Sequence, residues 1–427
     1  MLLYNFALSY YTMKQNIFIY IFFSFLLVAC TIAKPVNYSF QDNKNSLHPQ
    51  FLIYHDSETT SKLYFQIFTE DILYSRVNVS EKFSSKIKLQ FTAYNENRKE
   101  IIDSGSLVIS DKYLKNKKLK IDTNFSFLFP KSMKGFVDLK IVDINRNREF
   151  YKTIKIDKLN NYNRQFYIIK DANNQLLYND FFFKGQSIFI QSEFNTQRLY
   201  AKNINTSFPL SPPPFSKSYQ PIFKSNNSVC KQLNFNSKKL ISYLLPDEGF
   251  VFFQLDTLTN QGFTLFNFQE GYPNLINADQ LIPPLRYLTT KEEFASLVSS
   301  SDSKLSVDQY WLSKASSKER ARNLIRIYYS RVEFANKLFS CHLEGWKTDR
   351  GLISIIFGPP SYVTNNRNAE TWIYGDENNM NSLKFIFENK MNPFTTNDFI
   401  LKRNYAYKNP WYRAVDSWRN GKVYLLK

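Results

Sequence analysis

Chemistry in this chain concentrates in one short run, Gly345-Trp346-Lys347-Thr348-Asp349-Arg350-Gly351, with His342 three residues upstream. A carboxylate beside a guanidinium can hold a polar ligand or, with an imidazole nearby, move protons, so Asp349, Arg350 and His342 are the candidates for a ligand or catalytic pocket. The same residue types also build junctions. Gly345 and Gly351 permit backbone approach that a Cβ forbids, and Trp346 offers a large apolar plate with one N–H to satisfy. Thr348 and Asp349 can bond nearby amides in a turn, while Arg350 can grip a carboxylate with its fork. The run is read first as a tight structural junction and second as a pocket, because a reactive triad needs a nucleophile and a geometry that this spacing does not supply.

Other chemistries lack their signatures. No Gly-x-Gly-x-x-Gly, phosphate loop, His-Glu-x-x-His or Gly-x-Ser-x-Gly occurs, which argues against nucleotide-dependent chemistry. His342 follows Cys341 directly, but adjacent side chains are expected to point apart and the chain holds 3 His. Zinc spacing is absent, and neither a metal nor a cofactor is expected.

The elements that must position the run are a helix before it and a strand after it. Ser316 and Glu319 read as a capping box. Beyond it Ala321, Leu324, Ile325, Tyr328, Val332, Ala335 and Leu338 recur at helical spacing, with Arg320, Arg322, Arg326 and Arg331 mostly on the opposite face. Lys291-Glu292-Glu293-Phe294 begins a shorter helix. After the run, the apolar residues 352–357 read as a buried strand stopped by Gly358-Pro359-Pro360, followed by strands at 370–375, 383–388 and 399–402. Residues 410–419 read as an amphipathic aromatic-basic helix that either docks on the domain or presents Trp411, Tyr412 and Trp418 to a membrane or protein partner.

Residues 328–360 together resemble the core of the GWxTD-domain family, envelope proteins of Bacteroidota and related bacteria. The signature Gly-Trp-x-Thr-Asp-Arg-Gly, the apolar segment after it and the Gly-Pro-Pro turn are all present. The resemblance covers residues 287–427 well and implies an α/β (α+β) domain with no established catalytic mechanism, so no active site is carried over.

Upstream of this domain the period is two. Alternating runs at 62–68, 86–91, 106–109, 119–122, 136–141 and 151–156 predict a half-buried antiparallel sandwich of immunoglobulin-like kind over residues 51–160. A second β-rich domain is expected over 161–286, with strands at 166–169, 187–190, 249–253 and 263–268, and with Ser211-Pro212-Pro213-Pro214 as a loop. The fold class is thus multi-domain and mainly β, with tandem sandwich modules ahead of the α+β domain. At 427 residues, two or three domains are in order.

The amino terminus sets location. Residues 17–28 form a compact apolar segment preceded by Lys14, shorter than the roughly 20 residues of a membrane-spanning helix, and read as a secretory signal over 1–29. Leu27-Val28-Ala29-Cys30 is similar to the lipobox of bacterial lipoproteins, which makes Cys30 the lipidation site and 30–50 a tether. No Asp follows Cys30, so sorting to the outer membrane, facing the periplasm, is expected. Cys230 and Cys341 are then left, and both are expected to be buried thiols.

Fifty-five Lys and Arg against 37 Asp and Glu give +18, spread along the chain without a basic tail. Such a field attracts nucleic acid, anionic lipid or phosphorylated glycolipid, and a secreted, lipidated chain excludes the first. The leading expectation is a non-enzymatic outer-membrane lipoprotein, membrane-bound through its N-terminal lipid, that serves as a structural or assembly component of an outer-membrane or periplasmic protein complex, possible settings being secretion or surface motility. The alternative is a protein that binds or hydrolyses envelope glycans through a pocket at the motif.

Overall fold

A computed structural model describes residues 47–424 apart from 115–118, 184, 195, 206–207, 218–229, 366–367, 377–378 and 380–381. The expected signal, Cys30 and most of the tether lie outside the described residues.

Alternation of apolar and polar side chains builds the first module. Its seven strands are β1 (Gln50–His55), β2 (Thr60–Phe68), β3 (Ser84–Asn95), β4 (Ile101–Lys112), β5 (Lys120–Leu128), β6 (Lys134–Asp143) and β7 (Arg148–Asp157). They form two antiparallel sheets, β1-β2-β5 and β4-β3-β6-β7. In β6 every second residue is buried, so Val137, Leu139 and Ile141 meet Leu63, Phe65 and Ile67 of the facing sheet in one core. The Phe91 ring lies 4.8 Å from Phe125 across the gap. In the immunoglobulin constant arrangement the fourth strand closes the sheet that holds the first strand; here β4 pairs with β3 instead.

The second module repeats the two-sheet plan with different strands. β8 (Ile168–Asp171), β10 (Ser187–Gln191) and β13 (Leu240–Leu244) make one sheet. β9 (Phe181–Phe182), β11 (Arg198–Ile204), β12 (Cys230–Asn234), β14 (Phe250–Gln254) and β15 (Gly262–Asn267) make the other. Inward residues Ile190, Tyr243, Val251, Phe253 and Leu265 form its core. All of β14 is buried, because its second face, Phe250 and Phe252, is covered by Phe394 of the C-terminal part at 5.0 and 5.2 Å between rings. A strand buried on both faces loses the polar half of its alternation, as Phe250-Val251-Phe252-Phe253 shows.

From residue 282 onward helices dominate: α1 (Lys291–Val298), α2 (Ser303–Lys314), α3 (Lys318–Phe339), α4 (Asp349–Phe357) and α5 (Lys408–Arg419). They pack with the antiparallel sheet of β16 (Tyr362–Asn365), β17 (Ala369–Tyr374), β18 (Leu383–Asn389) and β19 (Phe399–Leu401) around one core. All 5 tryptophans of the chain, Trp311, Trp346, Trp372, Trp411 and Trp418, are buried there. The molecule is therefore mainly β, with its helices gathered at the C-terminal end.

Four local expectations are corrected. Residues 352–357 are helix and not strand: Thr348 caps the segment by accepting from the Gly351 amide at 3.0 Å. Every residue of α4 is buried, and an apolar run buried on all sides carries no periodicity to separate strand from helix. The cap of α3 is Ser317, which accepts from the Arg320 amide at 3.2 Å; with Arg320 at the third position no reciprocal carboxylate exists, so the Ser316–Glu319 box does not form. Arg331 is buried instead of facing water. Cys230 is exposed on the edge strand β12, whereas Cys341 is buried.

Candidate functional site

The motif is the joint between α3 and α4. Residues Gly345–Lys347 make a single 3-10 turn that lies against α3. A Cβ on Gly345 would sit 1.9 Å from the Ala335 carbonyl oxygen, so only glycine lets the turn approach the helix backbone. The Gly345 amide donates to the Tyr272 hydroxyl at 3.0 Å, and the Trp346 amide donates to the Asn336 Oδ1 at 3.1 Å. The indole N–H of Trp346 donates to Glu344 at 3.1 Å, and its carbonyl accepts from the Tyr287 hydroxyl at 3.0 Å. Thr348 donates its hydroxyl to the Gly345 carbonyl at 2.7 Å while capping α4. The two amides and the Trp346 carbonyl are thus held by other parts of the chain, while the indole and Thr348 bond locally.

Asp349 and Arg350 lie back to back in the first turn of α4, and both are buried. Asp349 accepts from the Leu401 amide at 2.7 Å and from Arg403 at 2.5 Å, which fastens the start of α4 to β19 and the residues after it. Burial raises the pKa of its carboxyl against the opposing pull of Arg403. Arg350 donates to Glu370 of β17 at 3.1 Å and to both oxygens of Asn397 at 2.9 and 2.5 Å. Its guanidinium lies 4.2 Å from the centre of the Phe399 ring. The two residues therefore reach in different directions and brace separate contacts, instead of converging on one cavity.

The far end of α4 is closed by residues remote in sequence. Arg331 donates to the Ile355 carbonyl at 3.0 Å, placing a cation at the negative end of the helix, where it is stabilising. Trp418 donates its indole N–H to the Ile356 carbonyl at 3.0 Å. Gly358 follows with φ of +84°, a left-handed value that ends the helix and turns the chain toward Pro359, Pro360 and β16. Tyr374 seals the turn by donating to the Gly358 carbonyl at 2.8 Å. Arg331, Glu370, Asn397 and Arg403 were not legible as site residues, since their partners lie at least 20 positions away and leave no local spacing signal.

Two places near the motif could do more than brace it. The first is a groove of about 520 Å³ between residues 210–215, the 286–290 turn and α5, with Phe215, Arg286, Tyr287, Leu352, Tyr412 and Arg419 among its walls. Trp411 and Trp418 are buried, so α5 docks on the domain, while Tyr412 remains 48% exposed and lies 5.5 Å from Phe215, ring to ring. Arg419 forks onto Glu293 at 2.6 and 3.1 Å, and that hydrogen bond holds the Glu293 carboxyl down to about 2. The prolines 212–214 do lie in a loop, and that loop is tied to the joint: the Ser211 amide donates to the Lys347 carbonyl, and the Asn404 amide to the Pro214 carbonyl, both at 3.3 Å.

The second place is the turn after α3, where Cys341 and His342 come close to Asp398. Burial pushes the Cys341 thiol up to about 12, lowers His342 to about 4 and raises Asp398 to about 6. Contrary to the expectation for neighbours in sequence, the donor atoms of Cys341 and His342 lie on the same side, because the turn folds back on itself with the Cys341 amide bonded to the Leu343 carbonyl at 3.0 Å.

The arrangement defines a class: a chain of β-sandwich modules closed by an α+β domain whose glycine-tryptophan turn joins an amphipathic helix to a buried one. Residues 249–420 match the GWxTD domain, so the C-terminal part of the chain carries the likeness to the GWxTD family. No curated protein matches it. Among solved structures, a glycosyl hydrolase family 2 member from Bacteroides cellulosilyticus DSM 14838 is 10% identical over 30% of this chain, with a TM-score of 0.19. A second structure of such a hydrolase from Bacteroides cellulosilyticus is 12% identical over 31%, also at 0.19. The chain spans 16% of the length of each of these hydrolase chains.

Proposed function

We propose that this chain is an outer-membrane lipoprotein, tethered through Cys30 and facing the periplasm, that acts without catalysis of its own as a structural or assembly component of an envelope protein complex. The observation that carries the reading is how the motif's polar groups are spent: Asp349 on Arg403 and the Leu401 amide, Arg350 on Glu370 and Asn397, Thr348 on its own turn. What faces outward beside them is a groove with Tyr412, Phe215 and Arg419 in its walls, the residue types on which protein interfaces concentrate their binding energy.

The membrane side of the reading draws on the other end of the chain. The described residues begin at Leu47 and His48, and His48 lies 3.1 Å from Asp71. The loop that follows Asp71 exposes Val77 by 91% and Val79 by 84%, beside the exposed Tyr113 and Leu114. A tether entering at this end would bring these apolar side chains toward a bilayer surface.

Crosslinking in intact cells followed by capture through a C-terminal tag tests the assembly role. A reproducible outer-membrane or periplasmic partner that is lost in Tyr412→Ala and Phe215→Ala supports it, and recovery of no such partner overturns it. Radioactive fatty acid must label the chain and fail to label Cys30→Ala, or the lipoprotein reading is wrong. A second reading, recognition of an envelope glycan, is favoured by the combination of the Tyr412 ring with Arg286, Thr290 and Asp416 in the same groove; purified chain would then bind envelope polysaccharide, and Tyr412→Ala would not.

A further inference from the structure

We infer that Cys341, His342 and Asp398 form a binding site for one divalent transition-metal ion of the zinc class. Their sulfur, imidazole nitrogen and carboxylate oxygen all lie within 4.8 Å of one another. The three residues are exposed by only 2%, 7% and 9%. Thiolate, imidazole and carboxylate are the donor types zinc takes, at bond lengths of about 2.0–2.3 Å, which place the ligand atoms of a tetrahedral site roughly 3.3–3.8 Å apart. His342 Nδ1 and Asp398 Oδ2 stand 3.9 Å apart already. Closing the set requires a contraction of about 1.5 Å at most, within the reach of side-chain rotation.

The surroundings suit an ion. Asn392 donates to Asp398 Oδ2 at 2.9 Å, the kind of outer hydrogen bond that orients a ligating carboxylate. The Phe208 ring packs 4.5 Å from the His342 ring and supplies an apolar wall. Arg350 and Lys390 are the cations that act on Asp398, and the charge of Arg350 is already balanced by the Glu370 carboxylate. On binding, the Cys341 thiol gives its proton to solvent, and thiolate plus carboxylate offset the two charges of the metal while the imidazole stays neutral. The ion would clip the end of α3 to the 390–398 loop, which carries Phe394 onto Phe250 and Phe252 of the second module. Occupancy would thereby strengthen the contact between the GWxTD helices and the sheet beneath them.

The test uses the full chain with Cys30→Ser and Cys230→Ser, so that Cys341 is the single thiol, kept reduced and titrated with Co²⁺ and then Zn²⁺. One equivalent of Co²⁺ should produce the thiolate-to-cobalt charge-transfer absorption, Zn²⁺ should displace it, and Zn²⁺ should raise the melting temperature. Cys341→Ser should abolish the band. Asp398→Asn, which keeps the side chain's size, should weaken Co²⁺ binding at least about tenfold, and Asn392→Ala about tenfold, as expected for an outer-shell partner. Absence of the band at excess Co²⁺, its survival in Cys341→Ser, or unchanged affinity in a folded Asp398→Asn overturns the proposal. If Cys341→Ser does not fold, the Asp398→Asn titration decides.

Discussion

Lys158, at the base of the first sandwich, and Arg350, under the GWxTD turn, are both cations withdrawn from water, yet they are held in opposite ways. Lys158 donates to the carbonyl oxygens of Thr60 and Phe129 at 2.6 and 2.8 Å and to the Ser61 hydroxyl at 3.4 Å, all neutral acceptors. Arg350 faces the carboxylate of Glu370 across 3.1 Å, with the Asp349–Arg403 pair beside it. A charge held by dipoles can be neutralised without leaving an opposite charge behind. A charge held by a charge cannot, since removing one partner strands the other in a low-dielectric interior.

The comparison is broken most directly at the motif. Arg350→Ala leaves Glu370 buried beside an apolar gap and should cost about 3–5 kcal/mol, with Asp349→Ala similar because Arg403 is stranded; urea denaturation would show it as a lower midpoint. A loss under 1 kcal/mol with a folded protein would instead revive a pocket role for the pair. Next, Gly345→Ala forces a methyl group against the Ala335 carbonyl and should cost about 1–3 kcal/mol by the same measurement.

Lys158 predicts a different kind of effect. Burial lowers its pKa to about 8 from 10.5, so between these values the unfolded chain binds more protons and stability rises with pH. Lys158→Met should remove that rise, most cleanly between pH 8 and 9.5 before tyrosines ionise, and should cost about 1–2 kcal/mol at pH 7 from the acceptors it leaves unpaired. His55 adds a slope on the acid side. Its Nε2–H donates to the Asp157 carbonyl, its Nδ1 accepts from the Ser61 hydroxyl, and burial lowers it to about 4. Its contribution is fully present above pH 6.5 and is lost as pH falls toward 4, so His55→Gln should flatten thermal stability across that window. The smallest effect on folding belongs to Tyr412→Ala, within about 0.5 kcal/mol because the ring is half exposed, although the same change should disturb the groove.

Where the chain alternates, it was readable. The runs at 62–68, 86–91, 136–141 and 151–156 all fall in strands, since one buried face stamps a period of two on the residues. The long helix was equally plain from the stripe through Leu324, Tyr328, Val332 and Ala335. The motif's glycines, tryptophan and threonine indicated a tight junction, and the backbone approach at Gly345 supplies the reason. Legibility failed where burial is complete or the partner is distant. Residues 352–357 are buried on every side, Arg331 reads as a solvent-facing arginine until α4 is laid against it, and Asp398 gives no hint of Cys341 and His342 until the loop before β19 folds back.

The placement of the tryptophans, all within residues 311–418 and all buried, has a consequence for how this protein can be watched. Indole emission reports only on the C-terminal half of the chain, while the two sandwiches, rich in tyrosine and phenylalanine, are silent to it. Indole fluorescence follows the C-terminal part alone whereas calorimetry follows the whole molecule, and coincidence or separation of the two melting transitions measures whether the helices and the sandwiches unfold as one cooperative unit.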